Sequence, residues 1–254
     1  MKQKVSDYIA EYIAQWGIRD VFTVTGGGAM HMNDAFGHHK MLHCTYQHHE
    51  QACAMAAEAY ARLGNKMAAV CVTTGPGATN AITGVLGAWM DSIPMLVFSG
   101  QARYATTVSA SGLPLRSMGV QECNIVPVVK SLTKYAHMIV HPENIRYHLE
   151  KALYLAVNGR PGPVWLDIPL DVQGAVIETD DLKAYDPEEN PEQQPREIKD
   201  ETVEQILDKL QESKRPVLSP GNGVRLAGAH EDFYQLAELL GVPVVTGMSS
   251  GDAI

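Results

Sequence analysis

The sequence predicts an α/β fold: a doubly wound parallel sheet with helices on both faces, followed by the start of a second α/β domain. Three observations predict it. Strand-like and helix-like segments alternate along the chain. The run Met67–Thr73 is continuously apolar, as a parallel strand covered on both faces must be. The strand-like runs end in glycines or polar residues, where an open parallel sheet places its ligands.

Each element has its own signal. Val5, Tyr8, Ile9, Tyr12, Ile13 and Trp16 recur at helical spacing, and Gly17 stops the helix. Val21–Thr25 is a short β-rich run closed by Gly26–Gly28, and a short helix is expected over Ala29–Phe36. Leu42–Tyr46 reads as the second strand. It feeds an alanine-rich helix whose Glu58 and Arg62 stand i,i+4 and can pair. That helix is otherwise small and apolar, so it is expected to be buried on most sides. After the strand Met67–Thr73, Gly75–Gly77 breaks the chain and Ala78–Met90 returns to helix. Pro94–Ser99 is the next strand, and Gly100–Gly119 reads as a long surface loop. Ile145, Leu149, Ala152, Leu153 and Ala156 make a further helical stripe, and Pro163–Ile168 a last strand. From Gly174 to Lys199 the chain is acidic and proline-bearing, which reads as a linker. Helix Glu201–Glu212, strand Pro216–Ser219, helix Ala229–Leu240 and strand Val242–Thr246 then begin a second pattern. The expected domains are therefore 1–173, a linker 174–199, and an incomplete α/β domain 200–254, too small to be stable alone.

Composition narrows the function. A net charge of −9 over 254 residues argues against sequence-blind nucleic-acid binding. No apolar stretch is long enough to span a bilayer, and the first residues lack an apolar signal core. Cys44, Cys53, Cys71 and Cys123 have no Cys-x-x-Cys spacing and read as reduced residues of a cytoplasmic protein. Met30, Met32, Met41, Met55, Met90 and Met95 read as core filling.

Four features fall at successive strand ends: Gly26–Gly28, Glu50, Thr74–Asn80 and Gly100-Gln101. One glycine turn alone serves only turn geometry. Two such turns with a carboxylate between them mark a site. Glu50 opens the alanine-rich helix after His48 and His49. A carboxylate there is either a first-turn charge or a group set in an apolar pocket, where burial raises its pKa and the helix N-terminus lowers it. The two histidines lack the spacing that puts two metal ligands on one helix face, and no metal site is assigned. Gly221–Gly223 follows a strand and reads as a structural turn.

Read together, Gly26–Ala29, His49–Ala52 with Ala57–Arg62, Gly75–Asn80, Ile93-Pro94, Ser99–Gln101, Gln121-Glu122, Lys134 and Gly159–Pro163 resemble the thiamine-diphosphate-dependent enzymes, nearest the acetolactate synthase branch. The resemblance runs in order from the first helix to Ile168. It implies that Glu50 hydrogen-bonds the aminopyrimidine ring and so promotes removal of the thiazolium proton. It implies a cofactor-binding set of Gly27, Gly28, Glu50, Pro76, Gly77 and Asn80. Ala29, Gln101, Gln121 and Lys134 become substrate residues, with Glu50 and Gln121 catalytic. Val120 stands where an aromatic residue usually precedes the glutamine, and Ala102-Arg103 where Val-Pro is common; both differences fall on the substrate side. The implied activity is decarboxylation of a pyruvate-like 2-oxo acid and carboligation. A decarboxylase or an acetyl-transferring ligase for a sugar ketone is the alternative within the family, and a non-catalytic binding or assembly module the alternative outside it. Thiamine diphosphate is the implied cofactor. Mg2+ would be held by a C-terminal domain with a Gly-Asp-Gly motif, which Gly251–Ala253 does not match. FAD binding by the central domain is left open. The family shares each site between subunits of a homodimer or tetramer, so a chain of this length is expected to be inactive alone, as a fragment or a partner-dependent subunit.

Overall fold

A computed structural model describes residues 1–194 and 197–251. Part of the expected linker (195 and 196) and of the Gly251–Ala253 stretch (252 and 253) lies outside them. The first compact unit spans Met1–Gln194 and the rest of the chain forms a second.

The first unit is built on six parallel strands: β2 (Asp20–Thr23), β3 (His43–Tyr46), β4 (Ala69–Val72), β5 (Met95–Gln101), β6 (Tyr135–Met138) and β7 (Pro163–Pro169). Their spatial order is β3-β2-β4-β5-β7-β6. A separate antiparallel ribbon pairs β1 (Lys2–Lys4) with β8 (Val176–Glu178). Helices connect the strands in chain order: α1 (Val5–Trp16), α2 (Met30–His38), α3 (Glu50–Gly64), α4 (Pro76–Asn80), α5 (Ile82–Met90), α6 (Val108–Ser111), α7 (Ile125–Val129), α8 (Ile145–Val157) and α9 (Leu170–Gly174). Every residue of β4, β5 and β7 is buried, which is what their unbroken apolar runs require of strands covered on both faces. β2 is followed by β3 on one side and β4 on the other, so the chain reverses direction there. The carboxyl ends of β2 and β4 flank a topological switch point, the place where open α/β sheets bind ligands.

Four sequence expectations change in the first unit. β6 was not read as a strand: it is half-buried throughout and carries His137 on a polar edge, so it lacks an apolar run. The helix α3 is buried on one face only. Cys53, Ala54, Ala57 and Ala61 are inside, while Met55 is 46% and Leu63 79% exposed. Of the methionines, Met32 and Met95 fill the core, but Met30, Met41, Met55 and Met90 are exposed. The segment read as a linker also packs in part on the first unit. β8 pairs β1, and Ile177, Leu182 and Tyr185 are buried.

The second unit contains α10 (Asp200–Glu212), α11 (Gly223–Leu226) and α12 (His230–Leu240). None of the three buries a residue. The two strands expected there reduce, among the described residues, to one parallel bridge between Leu218 and Val244.

Candidate active site

The crevice at the switch point is lined by backbone packed too closely for side chains. Gly28 N donates to Thr73 Oγ1 at 3.0 Å, joining the end of β2 to the end of β4. A Cβ on Gly26 would meet Thr73 Cβ at 2.4 Å, and one on Gly28 would meet Thr73 and Thr74 at 3.0 Å. Gly27 differs: nothing lies within 4 Å of its would-be Cβ. It is the open point of the turn.

Glu50 is the first residue of α3, directly after the end of β3. His49 adopts extended backbone as the N-cap, and its Nδ1 accepts from Gln51 N at 3.1 Å. That cap accounts for a histidine at the helix entrance, and it leaves the Glu50 side chain free of the helix end. Asn80, at the end of α4, donates through Nδ2 to Glu50 Oε2 at 3.0 Å. The other oxygen, Oε1, lies over Gly77, where a Cβ would come within 3.4 Å of it and within 2.7 Å of Thr73 Cγ2. Pro76 occupies the start of α4 and is exposed. Glu50, Gly77 and Asn80, distant in sequence, thus form one contact group beside the open Gly27. The carboxyl is half-buried at the crevice, not enclosed in an apolar pocket.

The other expected residues divide. Ala29 is fully buried and faces the core, so it does not line the crevice. Gln101 is 1% exposed and its amide is saturated. Oε1 accepts from Thr74 Oγ1 at 2.7 Å and from Ala102 N at 3.0 Å. Nε2 donates to Cys123 O at 2.8 Å and Asp167 Oδ2 at 3.0 Å. No hydrogen-bonding capacity is left for a substrate. Gln121 is exposed and sits in left-handed backbone with φ 56°. Gly75 packs against it so closely that a Cβ would be 2.1 Å from Gln121 O, so Gln121 borders the same crevice. Its neighbour Glu122 fixes the preceding loop, accepting from Val108 N at 2.6 Å, Met118 N at 2.8 Å and Gly119 N at 3.1 Å.

Lys134 lies elsewhere. It precedes β6, and its backbone N–H bonds Pro163 O at the start of β7. Parallel strands put that point at the amino ends of the sheet, opposite Glu50. There Lys134 joins Trp89, Arg160 and Glu192 around a cavity of about 350 Å³. Burial pushes its amine down to about 8 against the opposing pull of Glu192, and Nζ donates to Asn158 O.

Back at the carboxyl ends of the strands, two side chains carry roles that the motifs do not announce, Thr74 within the Thr74–Asn80 turn and Asp167 on β7. Thr74 and Asp167 are buried partners of Gln101. The one signal for Asp167 was a lone acid inside the apolar strand Pro163–Ile168.

Comparison with known proteins supplies the context. The family model for the thiamine pyrophosphate enzyme N-terminal TPP binding domain matches residues 3–123, and that for the central domain of the same enzymes matches residues 203–254. Acetolactate synthase 2, chloroplastic, of Zea mays is 35% identical over 96% of this chain and 37% of its own length. The acetolactate synthase large subunit of Lactococcus lactis subsp. lactis is 33% identical over 95% of this chain and 40% of its own. That of Corynebacterium glutamicum is 36% identical over 89% and 34%. The chain spans little more than a third of the length of the relatives it matches.

Proposed function

The chain belongs to the thiamine pyrophosphate enzyme family, and from that premise we propose that it supplies the aminopyrimidine side of an active site that decarboxylates a pyruvate-like 2-oxo acid and couples the remaining unit to a second carbonyl compound. The observation that carries this reading is the Glu50 carboxyl, oriented by Asn80 over Gly77 at the switch point. The residues fit a heteroaromatic ring. Gly77 leaves space where a Cβ would crowd the carboxyl, Gly27 is open, and Oε1 of Glu50 is the less committed oxygen. Bound thiamine diphosphate supplies an electron sink for the carbon–carbon bond that breaks.

Glu50 would hold or give up a proton at its carboxyl toward a ring nitrogen. Asn80 keeps the carboxyl from rotating. Gly27, Gly28, Pro76 and Gly77 would admit the ring at close backbone approach. Gln121 would face the substrate from the loop side. Magnesium and the diphosphate, and FAD where it is used, are assigned to groups outside the first unit, with the site completed by a second subunit. The exposed Met55, Leu86 and Trp89 of α3 and α5 support such a contact. The acetolactate synthase relatives support carboligation over simple decarboxylation, and dependence of turnover on an acceptor separates the two.

The test is Glu50→Gln in the protein as encoded, assayed with pyruvate, thiamine diphosphate and magnesium. Carbon dioxide release is expected to fall by about 100-fold or more, the range for loss of a positioned acid–base group, with the circular dichroism spectrum unchanged. Undiminished turnover would overturn the assignment.

A further inference from the structure

Asp167 is an ionisable group placed where an apolar one would pack. It is fully buried on β7. Oδ1 accepts from Ser99 Oγ at 2.6 Å and Oδ2 from Gln101 Nε2 at 3.0 Å. Ser99 Oγ itself accepts from Trp165 Nε1 at 2.8 Å. Burial still pushes the carboxyl up to about 7 against both of these bonds. A carboxyl in an apolar sheet is a cost to folding unless its hydrogen bonds do something else.

What they do is fix an amide. Asp167 Oδ2 and Cys123 O are both acceptors, so the NH2 end of Gln101 must face them. The oxygen end must then face the Thr74 hydroxyl and Ala102 N–H. Held in that sense, Gln101 grips the chain at Cys123. It also positions the Thr74 hydroxyl, 2.7 Å from Gln101 Oε1 and 3.3 Å from Gln121 O. Both contacts bracket the left-handed turn at Gln121. That turn is not a conformation a glutamine adopts unassisted.

We propose that Asp167 is a positioning residue: acting through the Gln101 amide, it fixes the turn that presents Gln121 to the crevice. The proposal rests on the reading of Gln121 as a substrate residue. Asp167→Asn keeps the volume but replaces one acceptor oxygen by an NH2 group, so the side chain can accept from Ser99 Oγ or from Gln101 Nε2 but not from both, and the grip on the Gln101 amide is left to Cys123 O and Ala102 N–H.

The experiment is a double-mutant cycle in the protein as encoded, pairing Asp167→Asn with Gln121→Asn, which shortens the side chain and tolerates left-handed backbone. It is read together with amide hydrogen exchange over residues 102–124 without substrate. Asp167→Asn is expected to lower kcat/KM for pyruvate about 10-fold or more, as small misplacements of substrate-facing groups do. In the Gln121→Asn background the further loss is expected to shrink to about 2-fold or less, because both changes act on one interaction. Half-saturation by thiamine diphosphate is expected to stay within about 2-fold, and exchange to quicken in 102–124 and not in α1 or α8. An equal loss in both backgrounds, or unchanged exchange, overturns the proposal. Thr74→Val leaves Asp167 and its bonds intact, so if Asp167→Asn does not fold, the same cycle and exchange are read with Thr74→Val. Activity surviving Glu50→Gln would sink the functional reading instead, and the exchange measurement would still decide whether Asp167 holds the turn.

Discussion

Gly100 and Gly27 make opposite demands on the same turn. A Cβ on Gly100 would lie 2.0 Å from Gly28 O and 2.6 Å from Ala29 N, both backbone atoms with no room to yield. One on Gly27 would touch nothing within 4 Å. Gly100→Ala is therefore expected to destabilise the protein by about 1–3 kcal/mol, the usual cost of overpacking. Gly27→Ala should stay within about 0.5 kcal/mol, as surface changes do, while weakening thiamine diphosphate binding. Denaturant midpoints and a cofactor titration check both halves. Equal stability losses would show that the turn is not packed as described. At this scale the sequence was informative where chemistry and position coincide. Glu50, Gly77 and Asn80 were legible because a carboxylate and a glycine-rich turn end successive strands. Ala29 and Gln101 were placed on the substrate side by their neighbours in the motifs. A motif cannot tell which of its residues face in: Ala29 and Gln101 are buried while Gly27 and Gln121 are exposed. Asp167 was hidden because its role depends on partners far along the chain.

In the first unit, strands with a dense apolar run match their expected bounds within a residue or two, whereas β6, held by polar and aromatic contacts, has no such run. β6 is the instructive case. His137 on β6 stacks on His148 of α8 at 3.9 Å between ring centroids. The Tyr135 hydroxyl lies 2.7 Å from His148 Nδ1 and donates to it while the ring is neutral. Lys151 sits over the rings of Tyr135, Tyr147 and Tyr185. Burial first, then the neighbouring His137 and Lys151, push His148 down to about 4, and burial and Lys151 also lower His137. A histidine whose folded pKa is depressed stabilises the fold above the unfolded value near 6.5, and that contribution is lost as pH falls toward the folded value. This contribution to the melting temperature should therefore be lost between about pH 6.5 and 4, while Asp167, raised to about 7 by burial, contributes in the opposite sense over the same range. His148→Phe keeps a stacking ring but cannot be protonated, so its melting temperature should rise relative to the unaltered protein's as pH falls through that window. A profile as steep as the unaltered protein's would show that the imidazole pair does not hold β6 to α8. No periodicity in Tyr135–Met138 announces such an arrangement, because its contacts come from the facing helix and not from alternation along the strand.

Across the whole molecule, the clearest departure from the sequence reading is where the first unit ends. Acidic residues and prolines made 174–199 look like a tether, and that composition masked three apolar anchors. Ile177, Leu182 and Tyr185 are each less than a tenth exposed. β8 is the strand that pairs β1, with Lys2, Gln3 and Lys4 opposite Glu178, Ile177 and Val176. Tyr185 N donates to Glu150 Oε2 at 2.8 Å, tying the same segment to α8. Burying Ile177 and Leu182 contributes about 3–6 kcal/mol together, against about 5–15 kcal/mol for the stability of an ordinary domain. Removing the segment should therefore cost a large part of the whole. Residues 1–194 expressed alone are expected to unfold cooperatively in denaturant, and residues 1–173 to unfold at a clearly lower midpoint or to aggregate. Matching midpoints would mean that the segment only rests on the surface. The expected difference follows from a property of small sheets: a two-stranded ribbon has no stability of its own, so β1 and the start of α1 hold their place only while β8 and the anchors after it are present.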